Sequence, residues 1–170
     1  MMVDRELVQA VSDWQRGGSH DQKIKRGQRL KAVAAKLPET FRVCSDPCFR
    51  QEAHEKDRVW QLLADNQLPE TIASWTNDIG VAKTLKGGVP ATGLQGVILK
   101  IKPPKNSVIL NLTALNADPA FQAAVETHKA SIDGYYDGPR LVDKKPPREN
   151  AAFSFHGNLN ISDRRGGIHT

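Results

Sequence analysis

The chain has 170 residues, with 24 Lys and Arg against 19 Asp and Glu, so its formal net charge is +5. A hydrophobic content of 39% and a charged content of 25% are typical of globular domains and exclude a disordered, collagen-like or disulfide-scaffold chain. Apolar runs such as Val97–Leu99 are far too short to span a bilayer, and the first residues lack the apolar stretch of a secretory signal. We therefore expect one compact cytoplasmic domain with no membrane partner.

Five segments are predicted to be helical, several of them from apolar residues at helical spacing. In chain order they are residues 4–16, 21–36, 52–66, 78–85 and 119–129. The first is stopped by Gly17-Gly18 and the second by Pro38, as is typical of helix ends. We expect residues 1–37 to form an N-terminal helical layer packed on a core of residues 38–170.

Short β-type runs interrupt the later helices. In chain order they are residues 40–44, 71–76, 97–101 and 108–112, followed by a hairpin of 152–155 and 159–161. A long polar segment with several Gly and Pro residues, 132–148, precedes the hairpin. Because strands and helices do not alternate regularly, the sequence predicts an α+β fold with a mostly antiparallel core.

Metal and common nucleotide-binding motifs are not indicated. Cys44 and Cys48 form a C-x3-C pair, but a tetrahedral zinc site needs two further ligands and His54 is the nearest candidate. No two histidines have helical metal-binding spacing, and there is no nucleophile elbow, G-x-G-x-x-G motif or Walker loop. We expect no metal and two reduced thiols.

Three separated segments carry candidate chemistry. Arg42 lies within a predicted strand, Ser74 and Thr76 flank a tryptophan at the end of another, and Glu149 enters a strand after the polar segment. A rigid guanidinium can hold a phosphate, while an edge arginine can also simply extend to solvent. Likewise, Thr76 or Asp78 can be the N-cap of the next helix, and Glu149 an ordinary surface residue.

The order and spacing of these segments resemble the mono-ADP-ribosyltransferase family of the arginine–serine–glutamate type, from about residue 38 to 161. The resemblance implies two small, mostly antiparallel sheets with a cleft between them. It also implies NAD as the donor substrate, no metal, and a macromolecular acceptor, either protein or nucleic acid.

The resemblance assigns roles to the NAD-binding residues. Arg42 is similar to the first-strand arginine that holds the NAD phosphates and ribose. Ser74 is similar to the serine that orients the nicotinamide ribose, and Thr76 braces the same strand. Gly87 and Gly88 belong to the loop expected over the nicotinamide.

Two further assignments from the resemblance concern recognition of the target and the catalytic carboxylate. Tyr135 or Tyr136 is the expected aromatic contact in the loop that recognises the target. The family carries Glu-x-Glu with the second glutamate catalytic, whereas this chain has Glu149-Asn150-Ala151. Either Ala151 stands at the catalytic position, which the family register favours, or Glu149 is itself catalytic.

The resemblance therefore implies a mono-ADP-ribosyltransferase that is either active or inactivated at Ala151. Two alternatives remain: an NAD glycohydrolase, or a non-enzymatic basic module that binds protein or nucleic acid. An enzyme requires Arg42, Ser74 and strand 149–151 to converge on one cleft, whereas a binding module requires only a basic or apolar patch. The acceptor, the role as toxin or phage effector, and the oligomeric state are left open.

Overall fold

The computed structural model describes residues 3–66, 68, 72–84 and 88–135, together with the backbone of 151–154 and 160–162. Its helices are Arg5–Arg16 (α1), His20–Ala34 (α2), Lys56–Asp65 (α3), Ile79–Thr84 (α4), Leu112–Ala117 (α5) and Pro119–His128 (α6). Its strands are Cys48–His54 (β1), Ile72–Trp75 (β2), Gln95–Ile101 (β3), Val108–Asn111 (β4), Ala151–Ser154 (β5) and Asn160–Ser162 (β6). The α+β prediction is confirmed.

The strands form two antiparallel sheets of three strands each. The first has the order β1-β3-β6 and the second the order β2-β5-β4. An isolated antiparallel bridge between Phe49 and Thr76 connects β1 of the first sheet to the end of β2 in the second. Its two backbone hydrogen bonds measure 2.6 and 3.0 Å, so the sheets meet closely at this point.

The N-terminal helices begin at side-chain caps that the sequence supplies. Asp4 accepts a hydrogen bond from the amide of Leu7 at the start of α1. Ser19 and Gln22 form a reciprocal capping box at the start of α2. Such caps satisfy amide groups that lack partners within the helix, typically contributing about 1 kcal/mol each. The predicted helices 4–16 and 21–36 are confirmed to within two residues.

Both helices bury their apolar faces against the second sheet and the α5–α6 pair. Leu7, Leu30, Leu110 and Leu115 are almost fully buried in this core. At the contact with β2, a Cβ on Gly27 of α2 would lie 3.2 Å from the side chain of Ile72. Glycine at this position therefore permits the close approach of helix and sheet.

A second core lies between the two sheets. It consists of Cys48, Ala73, Trp75, Leu99, Ile101 and Val108. Trp75 is only 3% exposed and is the largest side chain in this core. Among the described residues, no helix is long and apolar enough to cross a membrane.

The strand predicted at 40–44 is wrong. Residues Glu39–Phe41 form a 3-10 turn that begins after Pro38, and Arg42 ends it with an amide hydrogen bond to the Glu39 carbonyl. Phe41 packs against the first core, which explains its apolar character without a strand. The arginine on a first strand is therefore not Arg42.

The first strand begins later, at Cys48, and its last residues occupy the predicted start of a helix at 52. Gln, Glu and Ala have little intrinsic preference for strands, but β1 pairs with β3 along its full length, from Cys48–Ile101 to His54–Gln95. Tertiary pairing thus overrides local propensity here. The helix prediction holds only from Lys56 onward.

Two smaller differences concern the rest of the chain. The predicted 152–155 and 159–161 hairpin is wrong, because β5 lies between β2 and β4 whereas β6 pairs with β3 in the other sheet. Helix α5 lies outside the predicted helices. It begins after Asn111, whose side chain accepts a hydrogen bond from the amide of Ala114. The predicted polar segment 132–148 lies outside the described residues from 136 onward.

Candidate functional site

A row of three ionisable side chains lines one face of β1. Arg50, Glu52 and His54 alternate along the strand, and we call them the charged row. Arg50 donates from Nε to Glu52 at 2.6 Å, and His54 donates from Nε2 to the other carboxylate oxygen at 2.7 Å. The carboxylate of Glu52 therefore holds both neighbours in fixed positions.

The charged row continues the face of β1 that forms the second core. Cys48, on this same face, is 1% exposed, whereas the side chains of Arg50, Glu52 and His54 are 30%, 19% and 26% exposed. Along this face of β1, the side chains are therefore apolar at Cys48 and charged from Arg50 onward. Half-buried charges of this kind need partners, which the ion pairs within the row provide.

Arg50 also connects the two sheets. Its Nη1 donates to the backbone carbonyl of Ser74 in β2 at 3.0 Å. This contact lies next to the Phe49–Thr76 bridge, where the two sheets meet. The guanidinium and the serine backbone are thereby held together at the junction of the sheets.

Glu52 is the described group whose acidity is clearly altered by its surroundings. Burial disfavours its charged form and would raise the pKa, but the charge of Arg50 and the hydrogen bonds from Arg50 and His54 outweigh burial. The pKa of Glu52 consequently lies below its ordinary value of 4.5. At neutral pH, the carboxylate is ionised and offsets the positive charge of Arg50.

The predicted serine and threonine of β2 have different environments. Ser74 is exposed, while Thr76 is 5% exposed. The hydroxyl of Thr76 accepts a hydrogen bond from the amide of Asp78, and Asp78 in turn accepts from the amide of Gly80 at the start of α4. Asp78, which also accepts from the amide of Val81, is therefore the residue that caps α4, and Thr76 supports the turn that precedes it.

The segment that contains Arg42 lies beside the start of α5. The neighbouring Val43 carbonyl accepts a hydrogen bond from Asn111, the N-cap of α5, at 3.1 Å. The Nε of Arg42 is buried and has no hydrogen-bond partner within the described part of the chain. Of these two arginines, Arg50 is the one that hydrogen-bonds to the backbone of Ser74.

Gly88 lies on the other side of β1 from the charged row. Its carbonyl accepts from Gln51, which alternates with Arg50 and Glu52 along the strand. Its φ is +73°, and a Cβ would lie 2.5 Å from the Lys83 carbonyl, so this turn requires glycine.

The two predicted tyrosines fall at the end of the described region. Tyr135 packs against the first core, whereas Ser74 is an exposed residue of β2. Tyr136, like Gly87 and Glu149, lies outside the described residues.

The backbone of β5 is placed next to β2 in a defined register. Ala151 is paired with Trp75, and Ala152 is paired with Ser74. Residues directly opposite each other in an antiparallel pair share a face of the sheet. Position 152 therefore shares the face of Ser74, whereas position 151 shares that of Trp75.

The sequence does not predict the charged row, because its pattern favours a helix from residue 52 onward, which would interrupt the strand. The signal that could have found it is the alternation of ionisable residues in Arg50-Gln-Glu52-Ala-His54 directly after a turn at Asp46-Pro47.

Within the described ranges, no group of three or more His, Cys, Asp or Glu side chains could hold a metal ion. Comparison of the chain with family models, with curated proteins and with solved structures finds no match. The interpretation of the site consequently depends on its own geometry and on the resemblance in the sequence.

Proposed function

We propose that this chain is a mono-ADP-ribosyltransferase that binds NAD as donor and modifies a protein or nucleic acid, with Arg50 facing the NAD phosphates. The proposal is supported by the hydrogen bond between Arg50 and Ser74 where two small antiparallel sheets meet. The family resemblance implies an arginine on the first strand close to a serine on the second. Arg50 in β1 and Ser74 in β2 fit that description, and Arg42 does not.

The environment of Arg50 suits it to hold an anionic group. A guanidinium has five N–H donors, and the bonds to Glu52 and Ser74 use one on Nε and one on Nη1. Donors on the two terminal nitrogens remain, in the planar geometry that matches a phosphate. Because Glu52 fixes the orientation of the guanidinium, little side-chain freedom would be lost when the phosphate binds.

The chemistry of the proposed reaction explains the residues required. Cleavage of the bond between nicotinamide and ribose builds positive charge on the ribose, which a nearby carboxylate stabilises. Arg50 would orient the donor by its phosphates, and Ser74 would orient the ribose. The carboxylate would come from the segment entering β5, where Glu149 is present and the sequence predicts a catalytic position at Ala151.

A second candidate function is a non-enzymatic binding module on the same fold. The residues of β5, Ala151–Ser154, include no carboxylate, and this observation favours a site that binds without reacting. An NAD glycohydrolase would use the same arrangement with water as acceptor. Release of nicotinamide distinguishes both enzymes from the binding module.

Titration calorimetry of the full chain with NAD tests the proposal. We expect saturable binding that is weakened severalfold by Ser74→Ala and left unchanged by Ser45→Ala, an exposed serine in the loop before β1. Nicotinamide release is then followed with the same proteins. A folded chain that shows no NAD binding would rule out both the transferase and the glycohydrolase.

A further inference from the structure

The two cysteines lie side by side at the entrance to β1. Their sulfur atoms are 3.6 Å apart, and neither is part of a disulfide. Each thiol also lies near the carbonyl of Asp46, at 3.7 Å from Cys44 and 3.6 Å from Cys48. The chain therefore turns around Asp46 and Pro47 and brings the two sulfurs into contact.

We propose that Cys44 and Cys48 are a redox-active dithiol that a low-molecular-weight disulfide, such as oxidised glutathione, converts to an intramolecular disulfide. Pro47 restricts the backbone between the two cysteines, so the contact is held by the loop itself. A bond between the sulfurs needs only a short approach, because they already touch. The proposal is independent of the function proposed above.

The different burial of the two thiols assigns their roles. Cys48 is 1% exposed and lies in the second core, whereas Cys44 is half-buried in the preceding loop. Thiol–disulfide exchange requires access to the attacking sulfur. Cys44 is therefore the attacking residue, and Cys48 is the resolving residue.

The exchange proceeds in two balanced steps. The Cys44 thiolate attacks one sulfur of oxidised glutathione, forming a mixed disulfide and releasing one glutathione thiolate. Cys48, after losing its proton, attacks the Cys44 sulfur, closes the protein disulfide and releases the second glutathione. The protein loses two electrons and two protons, and the reagent takes them up as two thiols.

The product would join the loop that follows the 3-10 turn to the first residue of β1. Cys48 is two residues before Arg50, on the same face of the strand. The disulfide would thus restrain the start of the strand that carries the charged row. Because the closed ring is short, we expect only a modest gain in stability.

Peptide mapping after equilibration of the full chain with reduced and oxidised glutathione tests the proposal. Trypsin cuts after Arg42 and Arg50, so both cysteines fall in one peptide, residues 43–50. After acid quenching and alkylation, we expect that peptide to lack two hydrogens and to carry neither alkyl groups nor glutathione. Cys48→Ser should accumulate the glutathione adduct on Cys44.

Cys44→Ser is the matched variant. Its buried Cys48 should react with oxidised glutathione at least tenfold more slowly than Cys44 does in Cys48→Ser, with circular dichroism confirming that both variants are folded. The proposal is overturned if the wild-type chain retains two alkylated cysteines under excess oxidised glutathione. A stable glutathione adduct or disulfide-linked dimers in place of the closed peptide would also overturn it.

Discussion

The Nη1 atom of Arg50 lies 3.0 Å from the carbonyl oxygen of Ser74, and this hydrogen bond joins the two sheets. It lies beside the Phe49–Thr76 bridge, the point of closest backbone contact between β1 and the end of β2. A single arginine therefore has two functions available to it: it connects the sheets, and it presents donors beside an exposed serine. Substitutions must be chosen to separate these two functions.

Arg50 and Arg42 give different expectations for NAD binding. A charge-assisted hydrogen bond contributes about 1.5–3 kcal/mol, which corresponds to at least about a tenfold change in affinity. We expect Arg50→Ala to weaken NAD binding by about that factor or more, and Arg50→Lys to weaken it less but measurably, because lysine cannot make the forked contact. Arg42→Ala should leave the affinity unchanged in calorimetry.

Thermal unfolding of the same variants is the control for the structural role of Arg50. If Arg50→Lys melts close to the wild type but binds NAD more weakly, the loss is one of ligand contact. Weaker binding in Arg42→Ala with unchanged binding in Arg50→Lys would instead support the assignment made from the sequence.

Glu52 makes the stability of the protein depend on pH. Because its pKa is lower in the folded state than the ordinary 4.5, folding favours the ionised carboxylate. The resulting stabilisation is fully present above that ordinary value and is lost as the pH falls through the folded pKa. Glu52→Gln should therefore reduce the free energy of unfolding by on the order of 1–2 kcal/mol at neutral pH, given the partial exposure of the pair.

Urea unfolding at neutral and at acidic pH measures this effect. The difference between wild type and Glu52→Gln should shrink as the pH falls below the ordinary pKa of 4.5 and through the lower pKa of the folded state. Glu39→Gln, at an exposed glutamate, should show no comparable difference. A deficit of Glu52→Gln that stays constant across the pH range would contradict the assigned cause.

The contrast between α2 and β1 shows what the sequence could predict. Helix α2 carries its own signals: a capping box at Ser19, apolar residues at helical spacing, and Pro38 beyond its end. Strand β1 lacks such signals, because its conformation comes from pairing with β3, about 45 residues further along the chain. The proposed site follows the same division: Ser74 lies in a locally recognisable strand, whereas Arg50 reaches Ser74 only through contacts that its local sequence does not indicate.

The N-terminal helices should contribute strongly to the stability of the fold. Leu30 of α2 is fully buried in the core that also contains Leu110 of β4. Replacing a buried leucine with alanine typically costs 2–5 kcal/mol, so we expect Leu30→Ala to lower the free energy of unfolding by about that amount. Ile24→Ala, on the same helix but at a site that is 46% exposed, should change it by less than about 0.5 kcal/mol.

Chemical denaturation of the two variants makes the comparison. Equal, small effects would mean that α2 does not share a core with the second sheet.

The position of the catalytic carboxylate can be tested with two neighbouring substitutions. The family motif places it at Ala151, whereas the strand register pairs Ala152 with Ser74 and Ala151 with the buried Trp75. If Ser74 orients the ribose, a useful carboxylate must share its face of the sheet. On that argument, we expect Ala152→Glu to increase nicotinamide release from NAD more than Ala151→Glu does.

Nicotinamide release by wild type, Ala151→Glu, Ala152→Glu and a Glu149→Gln variant of each separates the possibilities. A larger gain in Ala151→Glu would support the motif and indicate that β5 pairs with β2 one residue out of the described register, since a shift of one residue exchanges the two faces. Activity of the wild-type chain that disappears in Glu149→Gln would identify Glu149 as the catalytic residue. If every variant folds and binds NAD but none releases nicotinamide, the protein is a binding module, because the donor site is then present without the chemistry that the carboxylate provides.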